Sequence, residues 1–185
     1  MKALLLLFTA LLLLACSDDT TTPAALPPQQ PAVDLSHALK LEWYELVPQD
    51  WQPEAAFDGL GLESMEDDDP RVQEMMARVR KEWDQAPVIA ALDGLLVKLP
   101  GFVVPLEGDG RSVDTFILVP YYGACVHVPP PPANQTVYVT SKEGGQVRGL
   151  FDTVWVIGKL RAVAQSTPMA QAGYTIEALR VEPFE

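Results

Sequence analysis

Basic residues, cysteines and histidines are all scarce in this chain of 185 residues. Lysine and arginine number 13 against 25 aspartates and glutamates, a formal net charge of −12. So acidic a chain repels nucleic acid and cannot adhere to anionic lipid by charge. Cation capture is compatible with it, but solubility is the plainer reason for the excess. The two histidines are His37 and His127, and the two cysteines are Cys16 and Cys125. A serine-type hydrolase needs a histidine between a nucleophile and an orienting acid, and no Gly-x-Ser-x-Gly elbow accompanies either histidine. Cys-x-x-Cys, phosphate-loop and dinucleotide glycine patterns are also missing.

What the amino terminus does have is a targeting pattern. Lys2 precedes an apolar run from Ala3 to Leu14, and Leu13-Leu14-Ala15-Cys16 has the small-residue pattern read by a lipoprotein signal peptidase. The run is shorter than the ~20 residues that span a bilayer. Residues 1–15 are therefore expected to be a signal peptide, with cleavage before Cys16 and acylation of its thiol. Two or three acyl chains would hold the protein to a membrane permanently. Ser17, and not aspartate, follows the cysteine; by the sorting known for such lipoproteins this implies the periplasmic side of the outer membrane. After cleavage Cys125 is the only cysteine left free, so no internal disulfide can form and the thiol must be buried, liganded or reactive.

Residues 16–40 read as a lipidated flexible tether, since serine, threonine, aspartate, proline and glutamine there cannot bury enough surface to offset ordering. His37 sits at its edge, where exposure is expected. A single folded domain is expected over 41–185. Its entry segment carries Trp43, Pro48, Trp51 and Pro53, with rings that cap a core. The acid run Glu63 to Asp69 leads into a helix: Asp69 can cap it, Pro70 suits its first position, and Pro87 ends it. Val72, Met75, Met76, Val79 and Trp83 form its core face. The acids lack the alternating ligands and glycine of a calcium loop.

From Val88 on, strands are expected at Leu95 to Leu106, Thr115 to Tyr121, Thr136 to Thr140, Val154 to Ala162 and Tyr174 to Val181. Gly108-Asp109-Gly110, the proline run, Gly144-Gly145 and Gly173 separate them. The fold class is α+β, mainly β: a small antiparallel barrel of the oligonucleotide-binding type, with one amphipathic helix, after the tether. Pro100, Pro105 and Pro120 belong at strand ends, bulges or edges.

The densest stretch is Pro120 to Gln135, containing Gly-Ala-Cys-Val-His-Val-Pro-Pro-Pro-Pro. If Tyr121 to His127 is extended, Tyr121, Cys125 and His127 leave the backbone on one face. A thiolate and an imidazole so placed can bind zinc or copper, with a third ligand needed, for which Asp114 and Glu107 are candidates. The alternative is structural, with Cys125 a small buried hydrophobe and His127 donating to a carbonyl. Pro129 to Pro132 favour polyproline II and read as a strap over the barrel, with Asn134 and Gln135 pairing the backbone groups that the prolines leave unpaired.

Together with Pro100 to Leu106 and Val154 to Leu160, this core resembles the domain-of-unknown-function family numbered 3299, over about Trp43 to the carboxyl end. The resemblance implies an accessory lipoprotein beside an envelope transport system, in some members linked to zinc supply, and it supplies no catalytic residue. The expected function is thus a non-enzymatic lipid-anchored envelope protein that binds a partner or substrate of such a system. A purely structural lipoprotein is the alternative, and a thiol enzyme using Cys125 and His127 ranks third.

Overall fold

Apolar residues at every second position give each long strand a buried face. In the computed structural model, which describes residues 33–53, 69–107, 112–146 and 150–184, these strands are Leu96–Glu107 (β2), Ser112–Val119 (β3), Val137–Gln146 (β4), Thr153–Arg161 (β5) and Tyr174–Pro183 (β8). Shorter strands are Leu39–Lys40 (β1), Gln165–Ser166 (β6) and Gln171–Ala172 (β7), and the helix among the described residues is Pro70–Asp84 (α1). They belong to one compact unit, Asp34–Glu185. The signal segment, Cys16, the tether to residue 32, the acids of 54–68 and the Gly108-Asp109-Gly110 turn lie outside the described residues.

The main sheet runs β1-β2-β3-β4-β8-β5, and β2 also pairs with β5, so the five long strands close into a ring. Among the five long strands pairing is antiparallel except between β4 and β8, which are parallel. This corrects the all-antiparallel expectation, and the reason is arithmetic: strand directions cannot alternate all the way round a ring of five. The order is that of the oligonucleotide-binding-type barrel, with its third and fifth strands side by side.

One long strand closes the ring. The first part of β2 pairs with β5 from Leu96 to Phe102, and its second part pairs with β3 from Phe102. Pro100 and Gly101 mark the change of partner. A Cβ on Gly101 would lie 2.7 Å from the Leu118 side chain and 2.9 Å from the Val119 carbonyl. Pro105 borders a bulge and Pro120 follows β3, as proline's missing N–H requires. Glycines 144 and 145 do not end β4, because Gly145 stays paired with Val113 and Gln146 with Ser112.

Inside the ring Val97, Leu99, Val103, Phe116, Leu118, Val137, Val139, Val154, Val156, Leu160, Tyr174 and Ile176 form the core, capped by Leu41 and Leu46 of the entry segment. Trp43 Nε1 donates to the Pro100 carbonyl at 2.7 Å. Tyr174 ties both sides: its hydroxyl donates to the Leu46 carbonyl at 2.8 Å and accepts from the Ile89 N–H at 2.7 Å. β3 is also buried on its other face, where Ile117 and Val119 join Val104, Ala124, Phe151 and Ala170 in a second cluster. That double burial explains the unbroken apolar run Phe116 to Val119.

Strand pairing is present ahead of the entry segment. Leu39 and Lys40, read from the sequence as tether, pair in parallel with Val97 and Lys98. Lys40 and Lys98 lie 5.1 and 5.0 Å from the Trp155 ring, which stacks on Phe184. His37 is exposed, with its Nε2 3.4 Å from Asp34. In α1, Asp69 accepts the Arg71 N–H at 2.9 Å and Pro70 takes the first position, as the capping pattern predicts. Met75 and Val79 are buried and Val72 and Trp83 half-buried, whereas Met76 is exposed.

Candidate functional site

The segment after β3 is a turn. The N–H groups of Val126, His127 and Val128 all donate to the Gly123 carbonyl, at 3.3, 2.8 and 3.2 Å, and Ala124 bridges Val128. Gly123 and Cys125 take positive φ, +85° and +67°; the second is a conformation that non-glycine residues seldom adopt. The expectation of an extended Tyr121 to His127 is thereby corrected. Three donors closing on one carbonyl leave no two-residue alternation to carry Cys125 and His127 to a common face.

Each of those two residues has its own surroundings. Cys125 is half-buried against the second cluster. Burial pushes its thiol up to about 11, with the Arg80 guanidinium pulling weakly the other way. His127 is exposed, and its ring centre lies 5.9 Å from that of Phe151, which also meets Tyr122 at 4.8 Å. No group of three or more histidine, cysteine, aspartate or glutamate side chains is assembled among the described residues.

The proposed third ligands lie at the other end of the barrel. Phe102 pairs with Val119, next to the turn, whereas Glu107 pairs with Thr115, beside Asp114. Asp114 is five positions back along β3 from Val119, about 16 Å at ~3.3 Å per residue. Glu107 and Asp114 are thus brought near each other in sequence register but away from Cys125.

The strap holds. Pro131 and Pro132 are buried, and the Thr136 hydroxyl donates to their carbonyls at 3.4 and 3.1 Å. Thr136 therefore satisfies the carbonyls within the proline run, a role expected of Asn134 and Gln135. Asn134 is wholly buried and donates to the Pro87 carbonyl at 3.1 Å, while its Oδ1 has no partner among the described residues. Tyr121 donates at 3.5 Å to the Pro129 carbonyl, and burial, with the Cys125 thiol nearby, raises its hydroxyl's pKa.

Tyr121 and Gln135 do meet across a site, though a different one. With Pro132 they form one wall of an open groove of about 540 Å³, and Tyr44, Val47, Pro48, Gln49, Trp51, Pro53 and Trp83 complete it. The volume is in the range of ~300–1,000 Å³ typical of ligand sites. Three elements build it: the short helical turn Trp43–Leu46 with the chain after it, the last turns of α1, and the strap. Tyr44 is 74% exposed, an unusual position for an aromatic ring with nothing to cover. Trp83 Nε1 is buried without a partner among the described residues, a state that costs about 1–3 kcal/mol. Sequence reasoning placed Trp83 in the core and the entry tryptophans in a cap. The overlooked signal is the spacing of aromatics and prolines, Trp43-Tyr44, Pro48, Trp51, Pro53, which is richer in rings than a cap needs.

The model of a family described as a protein of unknown function, DUF3299, matches residues 43–183. The chain belongs to the DUF3299 family. A crystal structure of a DUF3299 family protein from Pseudomonas aeruginosa PAO1 is similar, with 37% identity and a TM-score of 0.62, over 80% of this chain and 97% of that one. Comparison with curated proteins found no match. The DUF3299 match starts at Trp43, so the aromatic entry segment and the strap both lie within the family's span.

Proposed function

We propose that this DUF3299 protein is a non-enzymatic binding module of the bacterial envelope, anchored by lipid on Cys16, that holds a component of an envelope transport system in its aromatic groove. The observation that carries the reading is the groove itself: rings from three separate elements converge on an open concavity, and Tyr44 stands exposed at its edge. Aromatic side chains combine large contact area with polar tips and are favoured where proteins bind. A thiol enzyme is the poorer reading, because a thiol pushed up to about 11 is almost wholly protonated at neutral pH. The anchor rests on the pattern Leu13-Leu14-Ala15-Cys16. No helix among the described residues is long and apolar enough to cross a membrane.

The test is purification of the full chain from bacterial membranes in mild detergent. A transport component is expected to co-purify with the native protein and to be lost with Trp51→Ala. Cys16→Ser is expected to move the protein out of the membrane fraction. An unchanged set of co-purified proteins with Trp51→Ala would remove the groove from the account, and unchanged fractionation of Cys16→Ser would remove the anchor.

A further inference from the structure

We infer that the occupant of the groove is an extended, proline-rich segment of a partner protein with basic residues beside its prolines. The inference rests on the binding-module reading and specifies what is bound. Tyr44, Trp51, Trp83 and Tyr121 line a trough whose remaining walls are largely proline and the side-chain amides of Gln49 and Gln135. An aromatic-lined groove suits a polyproline II ligand, whose pyrrolidine rings pack on aromatic faces and whose stiffness leaves little entropy to lose. Such a ligand has no internal hydrogen bonds, so its carbonyls need donors from the groove. The amides of Gln49 and Gln135 have no partner among the described residues, and the Tyr121 hydroxyl is held only by a 3.5 Å contact. The strap cannot itself be the ligand, because Pro131 and Pro132 are buried and Pro132 forms part of the wall.

Charge selects the flanks. Glu45 follows Tyr44 and Asp50 precedes Trp51, and both are exposed. On the helix side Arg80, whose charge is felt weakly at Tyr121, is paired with Asp84, 3.3 Å away. Both carboxylates are sequence neighbours of lining rings, although Glu45 Oε2 also accepts the Glu42 N–H at 2.7 Å, and on a chain of net charge −12 an arginine or lysine next to the prolines is attracted where an acidic residue is repelled. An amphipathic helix would need a continuous apolar channel, and the polar tips along this trough do not provide one.

The test is a fluorescence titration of the full chain in detergent with a synthetic peptide of six prolines followed by two arginines. Saturable binding is expected, weakened at least tenfold by Trp51→Ala and by Tyr44→Ala, and unchanged by Leu179→Ala on β8. Tyr44 is mostly exposed, so its variant folds whether or not Trp51→Ala does. Replacing the two arginines with glutamates is expected to weaken binding at least tenfold at low salt. Absence of binding at millimolar peptide, or equal binding of the arginine and glutamate peptides, overturns the inference. Tighter binding of an amphipathic helical peptide, or self-association abolished by Tyr44→Ala, overturns it in favour of another occupant. If the peptide fails while the transport component still co-purifies through Trp51, only the ligand class falls. If both fail, the binding-module reading falls with it.

Discussion

Cys125 shows how far a single side chain's surroundings decide its chemistry. Its side chain is half-buried against the cluster that contains Val104, Ile117, Val119 and Phe151, and burial raises its pKa from 9.0 to about 11. Only the thiolate attacks an alkylating reagent, so at pH 8 iodoacetamide should react on the order of a hundredfold more slowly than with free cysteine. A rate equal to that of a free thiol would show that the residue is not held as described. The same shift has a sign for stability. A thiol whose folded pKa is raised favours the folded state below the unfolded value, and that contribution is lost as pH climbs from 9 toward 11. Stability should therefore fall in that window, and Cys125→Ala should remove this part of the fall.

At the scale of elements, Asp69 and Gly158 carry the two clearest expectations. The Arg71 side chain, and then its backbone N–H, hold the Asp69 carboxyl down to about 2. A depressed carboxylate contributes stability above its unfolded value that disappears as pH falls through 4 toward 2. Asp69→Ala should lower the melting temperature at pH 7, and by much less at pH 2; an equal loss at both would refute the capping account. Gly158 sits at the bulge where β5 crosses β8. A Cβ there would run into the Glu177 carbonyl and come within 2.8 Å of Ala178 and Ile176. Gly158→Ala should cost about 3 kcal/mol in denaturant unfolding. Gly94→Ala, at φ +84° with open space around it, should cost about 1–2 kcal/mol.

These elements also show what the sequence could reveal. The helix was legible because capping, proline placement and spacing agree locally, and the five long strands because valine-rich runs lie between turn residues. The parallel seam was hidden, since it follows only from closing an odd number of strands. The turn at 121–128 was missed because a tyrosine-rich, valine-bearing run reads as strand, while Gly123 and Cys125 at positive φ fold it back. Tyr121 and Gln135 were named as supporting residues beside Cys125, whereas the groove they also line could not be foreseen: its other rings, Tyr44, Trp51 and Trp83, are remote in sequence and come together only through the packing of the entry segment, α1 and strap.

For the whole molecule, the closed barrel carries the aromatic groove on one outer side. The core fixes β3 and β4, the strap between them fixes Tyr121 and Pro132, and Tyr174 draws the entry segment onto the barrel through Leu46. Groove and barrel are in this way one construction, and a lipid on Cys16 would present it at a membrane face. The most direct measurement is site-specific photocrosslinking in living cells, with a photoreactive residue in place of Tyr44 and, in a second variant, in place of Leu179. A discrete adduct containing a transport component, formed from position 44 and not from position 179, is the predicted result. The same adduct from both positions, or none from position 44, would contradict a groove that holds a partner.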